Sequence, residues 1–124
     1  MLTGAMLGLM QKLALDIMIL TDEINEDEFF ASRMTRMQTL HLLRSLVQTA
    51  ANLPAGTRER LPQIDWAAWA ALKIALATPS QHPLQIWVAI KELTPLTVQQ
   101  LNRYKKVQPN LFSMVPCVSV AAGD

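Results

Sequence analysis

One cysteine, two histidines and four glycines stand in a chain of 124 residues, and each scarcity excludes something. Cys117 alone forms no internal disulfide and no cysteine-based zinc site. His41 and His82, the sole imidazoles, argue against a multi-histidine metal centre. Charge is sparse as well: 17% of residues are charged, below the usual quarter, and the formal net charge is +1. So neutral a balance does not suit a protein whose main task is non-specific nucleic-acid binding. No stretch alternates apolar and polar residues as a half-buried strand does, and no segment repeats. An uninterrupted apolar run long enough for a bilayer is missing too. Met1 to Leu20 is very apolar, but Gln11, Lys12 and Asp16 interrupt it. A charge at the bilayer centre costs roughly 2.5–3.5 kcal/mol, and a secretory leader needs a positive start and a small-residue cleavage site. The expectation is no membrane span and a cytoplasmic chain.

What is there is helix-forming and apolar. Hydrophobic residues make up 51% of the chain, enough for one well-buried domain at this length. Neither glycine nor proline occurs from Leu9 to Leu53, which leaves room for long helices. Leu2, Met6, Leu9, Leu13, Ile17, Leu20 and Ile24 recur at spacings of three and four, one helical face. Leu7, Met10, Leu15, Met18 and Ile19 widen that face, so the first helix is to be covered on more than one side. In so small a protein the second cover is expected to be another subunit.

Further helices follow from caps and breakers. Asn25 with Glu28 has the spacing of a helix start before Phe29 and Phe30. A helix from about Thr35 to Ala51 turns Leu40, Leu43, Val47 and Ala50 inward, and Pro54-Ala55-Gly56 breaks the chain. Pro62 and Asp65 announce a helix from Trp66 carrying Trp69, Leu72, Lys73 and Leu76, which ends before Pro79. Pro83 and Pro95 each fit the first position of another helix. Residues 1–108 read as one all-α antiparallel helical bundle, and 109–124 as a tail apolar enough, through Leu111, Phe112 and Val115, to dock. Charge is segregated: residues 1–32 hold one base and six acids, whereas residues 33–60 hold five arginines and one acid. The simplest reading is two solvated helix faces; the alternative is pairing across a dimer.

The stretch from Ile24 to Trp66 has Glu28-Phe29, then Ala50-Ala51-Asn52-Leu53-Pro54, then Pro62-Gln63-Ile64-Asp65-Trp66, with Leu84-Gln85-Ile86-Trp87 downstream. In order and gapless spacing this resembles the HepT-like family, small helical ribonuclease toxins paired with MNT-type minimal nucleotidyltransferase antitoxins. The resemblance covers roughly residues 10–107. It implies a homodimer with a cleft across it, lined by an arginine, then four to six residues on a histidine, and a tyrosine two further. It implies no metal and no cofactor. In such a site the imidazole exchanges protons with the ribose 2′-hydroxyl and the leaving oxygen, while the guanidinium stabilises the phosphorane charge. The tyrosine accepts AMP from the partner.

Counted forward from Trp66, these positions hold Lys73, Thr78 and Ser80. Lysine balances a phosphate without the bidentate fork, but a threonine hydroxyl is no proton shuttle near neutral pH. Ile74 and Gln48 also replace polar and acidic residues common in the family. The resemblance thus implies a retained scaffold with no catalytic residue at the motif positions. The expected function is a homodimeric binding or partner protein, with RNA binding doubtful. The alternative is a metal-independent ribonuclease with a rearranged site using Lys73, His82, or the basic-aromatic cluster Arg103, Tyr104, Lys105 and Lys106. A nucleotidyltransferase remains the candidate partner.

The other chemistry-bearing residues favour structural roles. His41 with Arg44 at i+3 shares a helix face, which would suit a basic ligand-binding pair; the simpler reading is a partly exposed helix histidine. Asp22, Glu23, Glu26, Asp27 and Glu28 are consecutive enough to diverge around a helix start instead of converging on a metal. Trp66, Trp69 and Trp87 read as core anchors.

Overall fold

The structure is a computed structural model and describes residues 2–109. The expected tail and Cys117 lie outside these. Among the described residues the chain is all-α, with no strand. The longer elements are α1 (Leu2–Thr21), α2 (Glu26–Ala31), α3 (Arg33–Asn52), α4 (Ala55–Glu59), α5 (Trp66–Ala77), α6 (Pro83–Val88) and α7 (Thr94–Val107). A 3₁₀ turn, Pro79–Gln81, precedes α6, and a π-helical turn, Ala89–Leu93, joins α6 to α7.

Local chemistry accounts for most of these boundaries. At α2 the Asn25 side chain accepts from the Glu28 N–H at 2.8 Å, while the Glu28 carboxylate accepts from the Asn25 N–H at 3.0 Å. Ser32 caps α3 by accepting from the Thr35 N–H, which starts the helix two residues earlier than periodicity suggests. The Asp65 carboxylate caps α5 through the Ala68 N–H at 3.0 Å. Pro54 does more than break the chain, because it opens the single turn α4.

Pro95 stands in the first turn of α7, as its position predicts, but α7 has no free start: the helical path runs into it from Pro83 through the π turn and on to Val107. At the π turn the Thr94 N–H reaches back five residues to the Ala89 carbonyl, and the Thr94 hydroxyl donates to the same oxygen at 2.8 Å. The wider turn absorbs the proline, whose ring would clash in a regular α-helix.

Helix α3 packs against both α1 and α5, and α1 also packs against α7. The core holds Leu7, Met10, Leu13, Ala14 and Ile17 from α1, with Leu40, Leu43, Leu46, Val47 and Ala50 from α3. Trp69, Leu72 and Leu76 of α5 complete it with Ile86, Ile90, Val98 and Leu101. The buried α1 stripe shares Leu13 and Ile17 with the face the spacing favoured but turns to Leu7, Met10 and Ala14, leaving Leu9 46% exposed. On a helix apolar nearly all round, periodicity cannot choose the buried side; the neighbours α3 and α7 do. By length and composition α1 is also apolar enough to cross a membrane, yet its buried stripe belongs to this core.

Candidate functional site: a cationic groove between α3 and α5

Arg44, Val47, Gln48, Ala51 and Asn52 recur along α3 at helical spacing and form one wall of a groove. Lys73, Leu76 and Ala77 of α5 face them across a depression of about 390 Å³. A second depression of about 220 Å³ shares Val47, Ala51 and Lys73 and adds Arg58, Trp66, Trp69 and Ala70. The two depressions adjoin along α3 and α5 through these shared residues, with Lys73 lining both, Arg44 the first and Arg58 the second. Alanines open them, because a methyl group at 51, 70 and 77 leaves space that a larger side chain would fill.

Arg44 and Arg58 are held differently. The Arg44 guanidinium donates through Nη2 to the Leu76 carbonyl at 3.2 Å, which spans the groove and satisfies the last turn of α5. The Arg58 carbonyl accepts from Trp66 Nε1 at 3.1 Å, so α4 is tied to the start of α5. The Arg58 Nε is buried and has no hydrogen-bond partner. Among the described residues the one ion pair is Lys12 with Asp16 at 2.9 Å. Arg44, Arg58 and Lys73 therefore share a groove without a paired carboxylate.

The three motif positions do not meet in one place. Lys73 lies in the groove, and Thr78 is exposed as the cap that ends α5. Ser80 lines a separate depression of about 330 Å³ with Phe29, Phe30, Arg36, Pro83 and Ile86. His82 is half-buried at the start of α6, where its backbone accepts from the Ile86 N–H but its side chain makes no capping bond. His41, exposed three residues before Arg44, borders a different depression, an apolar one of about 560 Å³ between α1 and α3. That depression is lined by Ile19, Leu20, Met34, Met37 and Leu42 together with Asp16 and Gln38.

The remaining candidates have structural employment. Tyr104 is half-buried, and its hydroxyl accepts from the Gln63 N–H at 3.1 Å, clamping the loop before α5 onto α7. Arg103 donates to the Gln63 side chain, while Lys105 and Lys106 are exposed in the last turn of α7, where cations suit the helix dipole. Trp69 is 1% exposed and donates to the Thr97 hydroxyl at 3.0 Å. Trp87 stacks against Phe29 at 5.5 Å. The acids from Asp22 to Glu28 are exposed, and among the described residues no metal-binding group of His, Cys, Asp or Glu converges.

Sequence reasoning missed Arg58 altogether and saw Gln48 and Asn52 only as parts of a motif. The spacing of Arg44, Gln48 and Asn52 at i, i+4 and i+8 was a usable signal for a polar stripe on α3. Nothing local marks Arg58, whose position depends on how α4 folds back. Compared with family models, with curated proteins and with solved structures, the chain matches none.

Proposed function

We propose that this chain is a homodimeric helical binding protein of the HepT-like kind, an antiparallel bundle of toxin–antitoxin origin that has lost ribonuclease chemistry. One observation carries the reading: α1 and α3 leave Leu15, Ile19, Met34 and Met37 exposed, the last three around one apolar depression. Monomers seldom leave such a face in water, and a second copy is the cover that fits a small, otherwise well-buried chain. The antiparallel arrangement is supported where Arg44 pairs with Leu76 while Ala51, two turns later, lies near Trp66. Light scattering is expected to give twice the chain mass of 13.8 kDa at micromolar concentration. A mass of one chain would overturn the dimer.

The ribonuclease reading keeps one observation in its favour, the phosphate-suited cations Arg44, Arg58 and Lys73 in one groove. Cleavage also needs a proton shuttle, and no imidazole borders the groove. Labelled RNA is expected to survive incubation with the pure protein. Cleavage that Lys73→Ala abolishes would install the enzyme instead. Contact with an MNT-type nucleotidyltransferase, in this reading, uses the helical surface and is non-covalent. Ser80 carries an aliphatic hydroxyl, a far poorer acceptor for AMP near neutral pH than a phenol of pKa about 10. Intact mass after co-expression is expected to show no added AMP.

A further inference from the structure

We propose that the groove between α3 and α5 is a binding site for a phosphate monoester of about mononucleotide size, bound and released unchanged. Three features point to that ligand class. The first is charge without a partner: Arg44, Arg58 and Lys73 come from three different helices to one groove, and among the described residues none has a carboxylate within ion-pair distance. Like charges held together destabilise each other until an anion enters, and a buried guanidinium N–H with no acceptor adds to that cost. Arg58 Nε is such a group.

The second feature is preorganisation. Arg44 is fixed by its bond to the Leu76 carbonyl, and that bond leaves further N–H groups of the fork free for an oxyanion. The third is the character of the walls. Val47, Ala51, Ala70, Leu76 and Ala77 form an apolar floor, while Gln48 and Asn52 offer carboxamides at its rim. A phosphate on the cations, a flat apolar group on the methyl floor and sugar or base-edge polar atoms on the carboxamides would use every part. The size also fits, since small-molecule sites run from about 300 to 1,000 Å³.

The proposal is independent of the dimer, which light scattering tests by itself. Its own test is titration of the full-length protein with uridine monophosphate, inorganic phosphate, uridine and a ten-nucleotide RNA. Calorimetry and the fluorescence of Trp66, which borders the groove, are the readouts. Uridine monophosphate and phosphate are expected to bind, the former more tightly, and uridine not at all. Lys73→Ala and Arg58→Ala are each expected to weaken the monophosphate about tenfold or more, the usual worth of a charge-assisted hydrogen bond. Lys73→Arg is expected to retain most of the affinity. Lys73 is exposed, so an unchanged melting curve for its variants separates lost binding from lost folding. Saturation by uridine as readily as by its monophosphate would overturn the proposal. So would binding of the RNA alone, or monophosphate binding indifferent to Lys73→Ala.

Discussion

At the scale of the residue, two positions carry effects that no spacing announces. Lys91 Nζ donates to the Thr21 carbonyl at 2.6 Å and lies 5.1 Å from the centre of the Trp87 ring. It thereby closes the C-terminal end of α1, where carbonyls lack partners and a cation is favoured. Lys91→Met is expected to lower stability by about 1–2 kcal/mol, combining the charged hydrogen bond and the cation–π contact. Urea unfolding followed by tryptophan fluorescence would measure it. Glu23 is the opposite case, a non-glycine residue at φ 59° just after α1. That left-handed conformation costs an L-residue about 1 kcal/mol and glycine almost nothing. Glu23→Gly is therefore expected to raise stability by roughly 0.5–1 kcal/mol, less the greater freedom of glycine in the unfolded chain. A fall in the urea midpoint would refute this. The capping residues Asn25 and Asp65, by contrast, were legible, because a side chain three residues from its N–H partner acts within a single turn.

At the scale of the element, the informative piece is the π turn between α6 and α7. Pro95 marks the first turn of α7, as proline's missing N–H predicts, yet that turn continues a helix instead of opening a free one. The tertiary structure keeps the helix going by widening one turn. Two buried threonines hold that solution: Thr94 bonds the Ala89 carbonyl, and Thr97 accepts from the Trp69 indole across to α5. Thr97→Val preserves shape and removes the acceptor, leaving the indole N–H buried and unpaired. It is expected to cost about 1–3 kcal/mol, read from thermal unfolding by circular dichroism. A change below a few tenths would mean that the indole finds another partner. In helix α3 the spacing predicts the inner face, and Leu40, Leu43, Val47 and Ala50 are all buried, because the helix's polar residues mark the outer face clearly. Helix α1 lacks such a mark.

At the scale of the whole molecule, the exposed Ile19, Met34 and Met37 are the surface to probe. Replacing Ile19 and Met37 together by aspartate is expected to turn a dimer into a monomer without lowering the helical signal. The proposed dimer buries these side chains, whereas the single chain leaves both in water. Unchanged mass by light scattering would move the dimer contact elsewhere. The sequence by itself determined the helical class, most helix boundaries and the inner face of α3. These depend on contacts within four residues, which hydrophobic spacing and capping chemistry encode directly. It also determined that positions 73, 78 and 80 carry lysine, threonine and serine. Tertiary structure alone decided which side of α1 enters the core, and that Pro95 lies inside a helical run. It also decided that Arg44, Arg58 and Lys73 share one groove while Ser80 lines another depression. Such meetings join residues from separate helices, and the packing of α4 and α5 onto α3 creates them without leaving a period in the chain.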